Sequence, residues 1–182
     1  MVLKNYEKMI DFLMSDKRKQ FEDPDLFLPK FVKNNDVVVD IGCGPGFYCI
    51  RLIKIALKVY CIDNNQLMLD TAKRNCKNDK VQFFESVKLV PSNTIDLVLM
   101  ANSFHDMENK EEIYEEIKRI SKRNSRILIV DWKKDTRTEQ GPPYYLRMSE
   151  EDYVSRFPDY VLKERFEVGP YHFGLLFERV KS

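Results

Sequence analysis

VVVDIGCGPGFYCI, residues 37–50, governs how the rest of this chain is read. A β-branched run, Val37 to Val39, ends in Asp40, and glycines follow at alternate positions, Gly42, Gly44 and Gly46. A short apolar run closed by glycine is the pattern of a buried strand. Glycines so spaced let the backbone turn tightly and approach a ligand closely. Asp40 at the strand end argues that this ligand is not an anion.

Outward from this stretch, strand and helix patterns alternate. Tyr48 to Leu57 reads as a helix, 58–63 as a strand, Gln66 to Asn75 as a helix and 80–86 as a third strand. Residues 95–102 make a fourth strand and 125–132 a fifth, with Ile113, Ile117 and Ile120 lining one face of a helix over Lys110 to Ser121 between them. This alternation implies an α/β chain, a doubly wound parallel sheet of Rossmann-like type with right-handed crossovers. The tail differs: Ser149 with Asp152 makes a capping box, then 160–168 and 171–180 flank Gly169-Pro170 closely enough to pair only as a hairpin. Two amphipathic pieces, Tyr6 to Leu13 and Asp25 to Phe31, precede the core. With no linker or repeat, one domain over 1–182 is expected, residues 1–34 forming a helical extension or lid and 35–182 the core.

Thirty basic against twenty-nine acidic residues give a net charge of +1, so nothing in the whole-chain charge favours nucleic acid or a membrane as partner. No run approaches the roughly 18 apolar residues of a membrane span, and the first residues lack a signal-peptide core. Cys43, Cys49, Cys61 and Cys76 form no CxxC pair and read as buried small side chains in a reduced, cytoplasmic protein, not as metal ligands. No feature sets an oligomeric state.

Three ligands suit a glycine-rich strand-to-helix loop. A dinucleotide wants a third glycine where Phe47 stands, and its pyrophosphate would face Asp40. A P-loop needs a GK[ST] that is absent. S-adenosylmethionine carries no phosphate but a sulfonium and an α-ammonium, which turns Asp40 into a contact. Asp63, closing the second strand, can bridge ribose hydroxyls in either nucleoside ligand. The remaining alternative is a plain tight turn with Asp40 as a helix cap.

DIGCGPG after a buried strand, YCID closing the next and FHDM after the fourth together resemble the small class I S-adenosylmethionine-dependent methyltransferases, most closely the type 11 group. ANSFHDM, VDWKK, GPP and YHFGL are similar to a short subset of that group. The resemblance implies a seven-stranded sheet in order 3-2-1-4-5-7-6 with strand 7 antiparallel, and S-adenosylmethionine as cofactor. It also implies that Asp40, Gly42, Gly44 and Gly46 hold the methionyl part, that Asp63 holds the ribose, and that Asn64 and Leu67 flank the adenine. Where the group often has an aspartate for the adenine amino group stands Ser86, preceded by Glu85; Asn102 and Ser103 would pass beneath the methionyl side.

Methyl transfer needs alignment and water exclusion, and a base only for a protonated acceptor. Topology brings the two histidines toward the same sheet edge, so His105 and His172 are candidate acid–base residues, with Asp131 beside them and Trp132 and Tyr171 as substrate walls. Structural roles are the alternatives: His105 as a helix-start residue bonding Asp106, His172 as a strand residue. Pro142-Pro143-Tyr144 follows strand five and begins with Gly141, so it reads as a rigid loop; Lys133, Lys134 and Arg137 before it are candidates for an anionic substrate or for a solvated face. The expectation is methyl transfer to a small-molecule acceptor. A nicotinamide-dependent oxidoreductase and a non-catalytic S-adenosylmethionine-binding module are the alternatives.

Overall fold

The computed structural model describes residues 2–180, with side chains from residue 5 onward. Seven strands form one sheet: β1 Val37–Ile41, β2 Lys58–Ile62, β3 Val81–Phe84, β4 Ile95–Ala101, β5 Ser121–Trp132, β6 Tyr160–Val168 and β7 His172–Arg179. Their order is β3-β2-β1-β4-β5-β7-β6, and β7 alone runs antiparallel, against both β5 and β6. This is the order that the resemblance to the type 11 group implies.

The pleat sorts each strand's apolar residues onto two faces. Val38, Leu97, Leu99, Leu128 and Val130 face one core with α3 (Leu28–Phe31), α4 (Cys49–Ile55) and α5 (Gln66–Asn75). Val39, Val98, Met100, Ile127 and Ile129 face the other, under α6 (Lys110–Ile120) and α7 (Glu150–Arg156). Both faces of the parallel strands are covered, which is why those strands read as continuous apolar runs. β6, at the sheet edge, alternates half-buried and exposed positions between buried ends and carries Lys163, Glu164, Arg165 and Glu167, charges that discourage pairing with another chain.

Helix α5 has the predicted bounds because Asn65 caps it, accepting from the Leu67 and Met68 N–H groups. The Ser149–Asp152 capping box opens α7 as expected. Helix α4 is shorter than expected: Ala56 is already extended, and the Asp36 carbonyl accepts from Leu57 N–H at 2.9 Å. Strand β5 starts four residues early, directly after α6, with a register shift between the Ile95↔Ser121 and Leu97↔Arg126 pairs. The Asp25 to Phe31 piece breaks into a 3-10 turn, Pro24–Leu26, and the one-turn helix α3, because Pro24 and Pro29 each lack the N–H that a continuous helix uses. Ahead of these lie α1 (Val2–Met14) and α2 (Asp16–Lys19). The segment is tied to the sheet by buried Arg126, whose guanidinium donates to the Phe31 carbonyl and to Asp36, each at 2.6 Å. Among the described residues no helix is long and apolar enough to cross a membrane.

Candidate cofactor site

The loop after β1 turns at Gly42, Gly44 and Gly46, with φ of +81°, +54° and +96°, all in the left-handed region. Two of these glycines are held by neighbours. A Cβ on Gly42 would lie 2.4 Å from Ser103 Cβ, and one on Gly46 would lie 2.8 Å from Cys76 Sγ. A Cβ on Gly44 would meet nothing within 4 Å. Gly42 and Gly46 therefore serve packing, while Gly44 presents bare backbone to open space.

The loop is bolted to the second strand. Gly42 and Cys43 both donate N–H to the Ile62 carbonyl, at 2.8 and 2.9 Å. Asp63, just past β2, accepts from Gly44 N–H at 2.8 Å and from Asn65 N–H at 2.9 Å, which fixes the plane of its carboxylate. Asp40 is 1% exposed, and its Oδ2 has no hydrogen-bond partner. Burial above all, then the charges of Cys49 and Asp63, push its pKa well above the usual carboxylate range.

These groups open onto a cavity of about 770 Å³, a size ordinary for a small-molecule site. Of the residues expected from sequence, Asp40, Gly42, Gly44, Asp63, Asn64, Glu85, Ser86 and Asn102 line it, with Ser103 beside them. Gly46 and Leu67 do not; Met68, one residue on, does. Ser86 spends its hydroxyl on the Lys88 N–H at 3.3 Å, whereas the exposed Glu85 has no such bond among the described residues.

Sequence reasoning expected residues 1–34 as a helical extension or lid but named none of its residues at the site. Leu13 and Arg18 line the cavity. Arg18 Nε donates to Glu22 at 3.2 Å, and the Tyr48 hydroxyl and Asn102 Nδ2 also donate to Glu22, the latter at 2.8 Å. Burial opposes the charge of Glu22, but Arg18, His172 and Tyr48 together hold its pKa below the ordinary value. Phe47, at the position where a dinucleotide loop wants glycine, is sandwiched between two guanidiniums, Arg18 at 4.0 Å and Arg51 at 4.2 Å from the ring centroid. No spacing rule links residues 18 and 22 to this loop, so the sequence carried no signal for them.

His105, Asp131, Trp132, Tyr171 and His172, expected together at one sheet edge as acid–base residues and substrate walls, divide between the two sides of that edge. Successive strand residues point to opposite faces, so Asp131 and Trp132 diverge. On the α7 side His105 Nδ1 donates to both Asp131 oxygens, at 2.9 and 3.0 Å, and the Tyr153 hydroxyl also donates to Asp131. His105 Nε2 lies 3.3 Å from Asp106, so the expected Asp106 contact is the longer of two. Burial works against an imidazolium here, but Asp131 prevails and raises the pKa of His105. His105 lines a separate cavity of about 450 Å³ with Lys110 and Arg147.

On the other side, His172 pairs with Trp132 across β5 and β7 and lies 4.1 Å from its ring, centroid to centroid. It is 3.7 Å from Glu22, and neither ring nitrogen has a hydrogen-bond partner. Burial lowers its pKa against the pull of Glu22 and Asp131. Trp132, Tyr171 and His172 line neither cavity. Gly141 crosses the Trp132 face, where a Cβ would be 2.7 Å from the ring. Arg147 holds the proline loop by donating to the carbonyls of Lys133, Thr136, Gln140 and Pro142 at 3.0–3.1 Å. Lys133 and Lys134 are paired with Glu167 and Asp152. All four cysteines are buried free thiols.

The donor set fits S-adenosylmethionine. Asp40 offers an unpartnered carboxylate oxygen for a cation, Gly44 a bare cradle, Asp63 an oriented acceptor for hydroxyl groups, and Arg18 a cation for a carboxylate. A seven-stranded sheet of this order around such a loop defines a class I α/β methyltransferase. The chain belongs to the family described as "Methyltransferase domain", type 11, whose model matches residues 39–129. It is 44% identical to a type 11 methyltransferase structure from Sulfolobus solfataricus, covering 89% of this chain and 95% of that one at a TM-score of 0.83. A SAM-dependent methyltransferase from Aquifex aeolicus is 31% identical, with coverage of 95% and 98% and a TM-score of 0.86. The ribosomal protein L11 methyltransferase of Thermotoga maritima is 28% identical over 60% of this chain and 43% of its own length. The chain spans less than half the length of the first curated relatives it matches. S-adenosylmethionine is the cofactor that this family and fold define.

Proposed function

We propose that this protein transfers a methyl group from S-adenosylmethionine to a small, neutral or cationic acceptor. The observation that carries this reading is the buried, unpartnered Oδ2 of Asp40 in a cavity floored by glycine backbone. A carboxylate held out of water without a partner is costly, and a cationic group offsets that cost.

When bound, the cofactor supplies a methyl group on a sulfonium that leaves as a neutral thioether. The residues of this chain bind and align it. Asp40 takes the ammonium; Asp63, its plane fixed by two backbone N–H groups, takes the ribose hydroxyls; Glu85, with no side-chain bond of its own, takes the adenine edge. Arg18 takes the methionyl carboxylate. Phe47 and Tyr48, both buried, pack under the loop and exclude water. Asn102, itself left-handed with φ +54°, keeps a buried Oδ1 without a partner, and the acceptor is expected beside it.

The carboxylates lining the cavity speak against the phosphates of a nucleic acid and against the pyrophosphate of a nicotinamide dinucleotide. His172, buried against Trp132 and 3.7 Å from Glu22, stands outside both cavities and backs the wall behind Asn102; His105, clamped to Asp131, orients the end of β5. Trp132 and Tyr171 then support His172.

The test is a screen of small O–H, N–H and S–H compounds for S-adenosylhomocysteine release. Release that needs both Asp40 and Asp63 is the expected result. Label from methyl-tritiated S-adenosylmethionine entering only the protein or RNA fraction of a cell extract would overturn the small-acceptor reading. Binding without any transfer to either would reduce the protein to a binding module.

A further inference from the structure

The chain as a whole is nearly neutral, at +1, but the cavity is not. Asp40, Asp63, Glu85, Asp106 and Glu108 all line it, and among the described residues none has a Lys or Arg within ion-pair distance. The two cations in the same wall each face a carboxylate of the protein, and the ligand carboxylate that Arg18 also meets is common to donor and product. Arg18 is paired with Glu22 at 3.2 Å, and Lys88 is paired with Glu112. Glu116, also in the lining, is neutralised by Arg119 at 2.7 Å. Asp106 has only the His105 imidazole, at 3.3 Å, and that imidazole is itself committed to Asp131. The wall therefore carries carboxylates that the protein leaves without a counter-charge; Asp40 is the most buried of them and, keeping its proton in the free site, adds its charge only once a cation is bound.

The methyl donor and the product of the reaction differ by one methyl group and one charge. S-adenosylmethionine carries a sulfonium, an ammonium and a carboxylate, net +1. S-adenosylhomocysteine has lost the sulfonium charge with the methyl and is net neutral. Every other contact is common to the two, so a wall of fixed negative charge acts almost entirely on the difference between them. Asp63 is half-buried while Glu85, Asp106 and Glu108 are exposed, so water and salt screen part of this attraction and low ionic strength shows it best.

We propose that this uncompensated wall makes the cavity select the cationic methyl donor over its own neutral product, with Glu85, Asp106 and Glu108 as the selectivity residues around Asp40 and Asp63. Transfer of the methyl group removes the positive charge, and with it the attraction that held the ligand, so the product leaves readily. The inference rests on the cofactor assignment above and deepens it.

Calorimetric titration of the wild-type protein with three ligands tests it. S-adenosylmethionine, S-adenosylhomocysteine and sinefungin, which carries an ammonium in place of the methylsulfonium, are compared at low and at moderate salt. Both cationic ligands should bind at least about tenfold more tightly than S-adenosylhomocysteine at low ionic strength, and the gap should shrink several-fold as the Debye length falls below about 10 Å. The side chains of Asp106 and Glu108 are exposed, so Asp106→Asn with Glu108→Gln leaves the core intact. That variant should narrow the gap by weakening the two cationic ligands more than the neutral one. Equal or tighter binding of S-adenosylhomocysteine, insensitive to salt and to these substitutions, would overturn the selectivity proposal while leaving the cofactor assignment standing. Failure of all three ligands to bind would overturn both.

Discussion

Gly44→Ala adds a methyl group on the open side of the loop, where an added Cβ meets no protein atom within 4 Å. Its effect on the fold is confined to the backbone. Alanine at φ +54° costs about 1–2 kcal/mol, the usual penalty for an L-residue in the left-handed region. In a chain of this size that lowers the melting temperature by roughly 2–8 °C. Gly42→Ala is the matched control. It adds the same kind of strain at φ +81° and also drives its Cβ to 2.4 Å from Ser103 Cβ, an overpacking worth about 1–3 kcal/mol more. Thermal melts by circular dichroism, with and without S-adenosylmethionine at about one hundred times its dissociation constant, read both effects. The ligand should add about 2.7 kcal/mol to the wild type, a rise of roughly 5–11 °C. Gly44→Ala should melt only a little early but gain almost nothing from ligand, because its methyl group fills the cradle. Gly42→Ala should be the less stable of the two without ligand. A full ligand-induced rise in Gly44→Ala would refute the assignment of Gly44 as the contact surface, and equal stability of the two variants would refute the packing argument for Gly42.

Three further outcomes follow from the same geometry. Asp40 keeps its proton to an unusually high pH in the free site, and a cation binds its charged form, so affinity for S-adenosylmethionine should rise with pH, by at most about tenfold per unit, and flatten above the free-site pKa; Asp40→Asn should remove the slope in calorimetry from pH 5 to 8. Asp131→Asn should cost about 3 kcal/mol in chemical denaturation, since it strips His105 and Tyr153 of a buried partner. The raised pKa of His105 means that its stabilisation is complete below the unfolded value and is lost as pH rises through the folded one, so the variant should lose that pH dependence too. Arg147→Lys gives up the guanidinium fork that reaches four carbonyls, should cost about 2–4 kcal/mol at roughly 1 kcal/mol per hydrogen bond, and should expose Arg137 to trypsin in native-state proteolysis.

What the sequence revealed and what it hid divide along a physical line. Buried parallel strands announce themselves because both faces are apolar, and helix α5 was legible to the residue because Asn65 caps it locally. The hairpin of β6 and β7 was legible from Gly169-Pro170 and from strands too close to cross over. Asp40, Gly42, Gly44 and Asp63 could be placed at one cavity because they lie at or just past strand ends at fixed spacing. Arg18 and Glu22 could not, since their partners Phe47, Tyr48 and Asn102 lie 26 to 80 positions away, and a stretch such as DKRK otherwise reads as solvated surface. The two histidines were brought to the right edge but not to the right sides of it: topology gives the edge, while the pleat at Asp131 and Trp132 gives the side. The early start of β5 was hidden because a strand pairing through a register shift after Ser121 leaves no periodic trace in SKRN.

The central claim is that this cavity holds S-adenosylmethionine through Asp40 and Asp63, and calorimetric titration of the purified protein with S-adenosylmethionine and, separately, with NAD addresses it directly. One-to-one binding of S-adenosylmethionine, weakened at least about tenfold in Asp63→Ala through loss of a ribose acceptor and absent for NAD, is the predicted result. Binding of NAD in its place, or of S-adenosylmethionine with equal affinity in Asp40→Ala and Asp63→Ala, would contradict it.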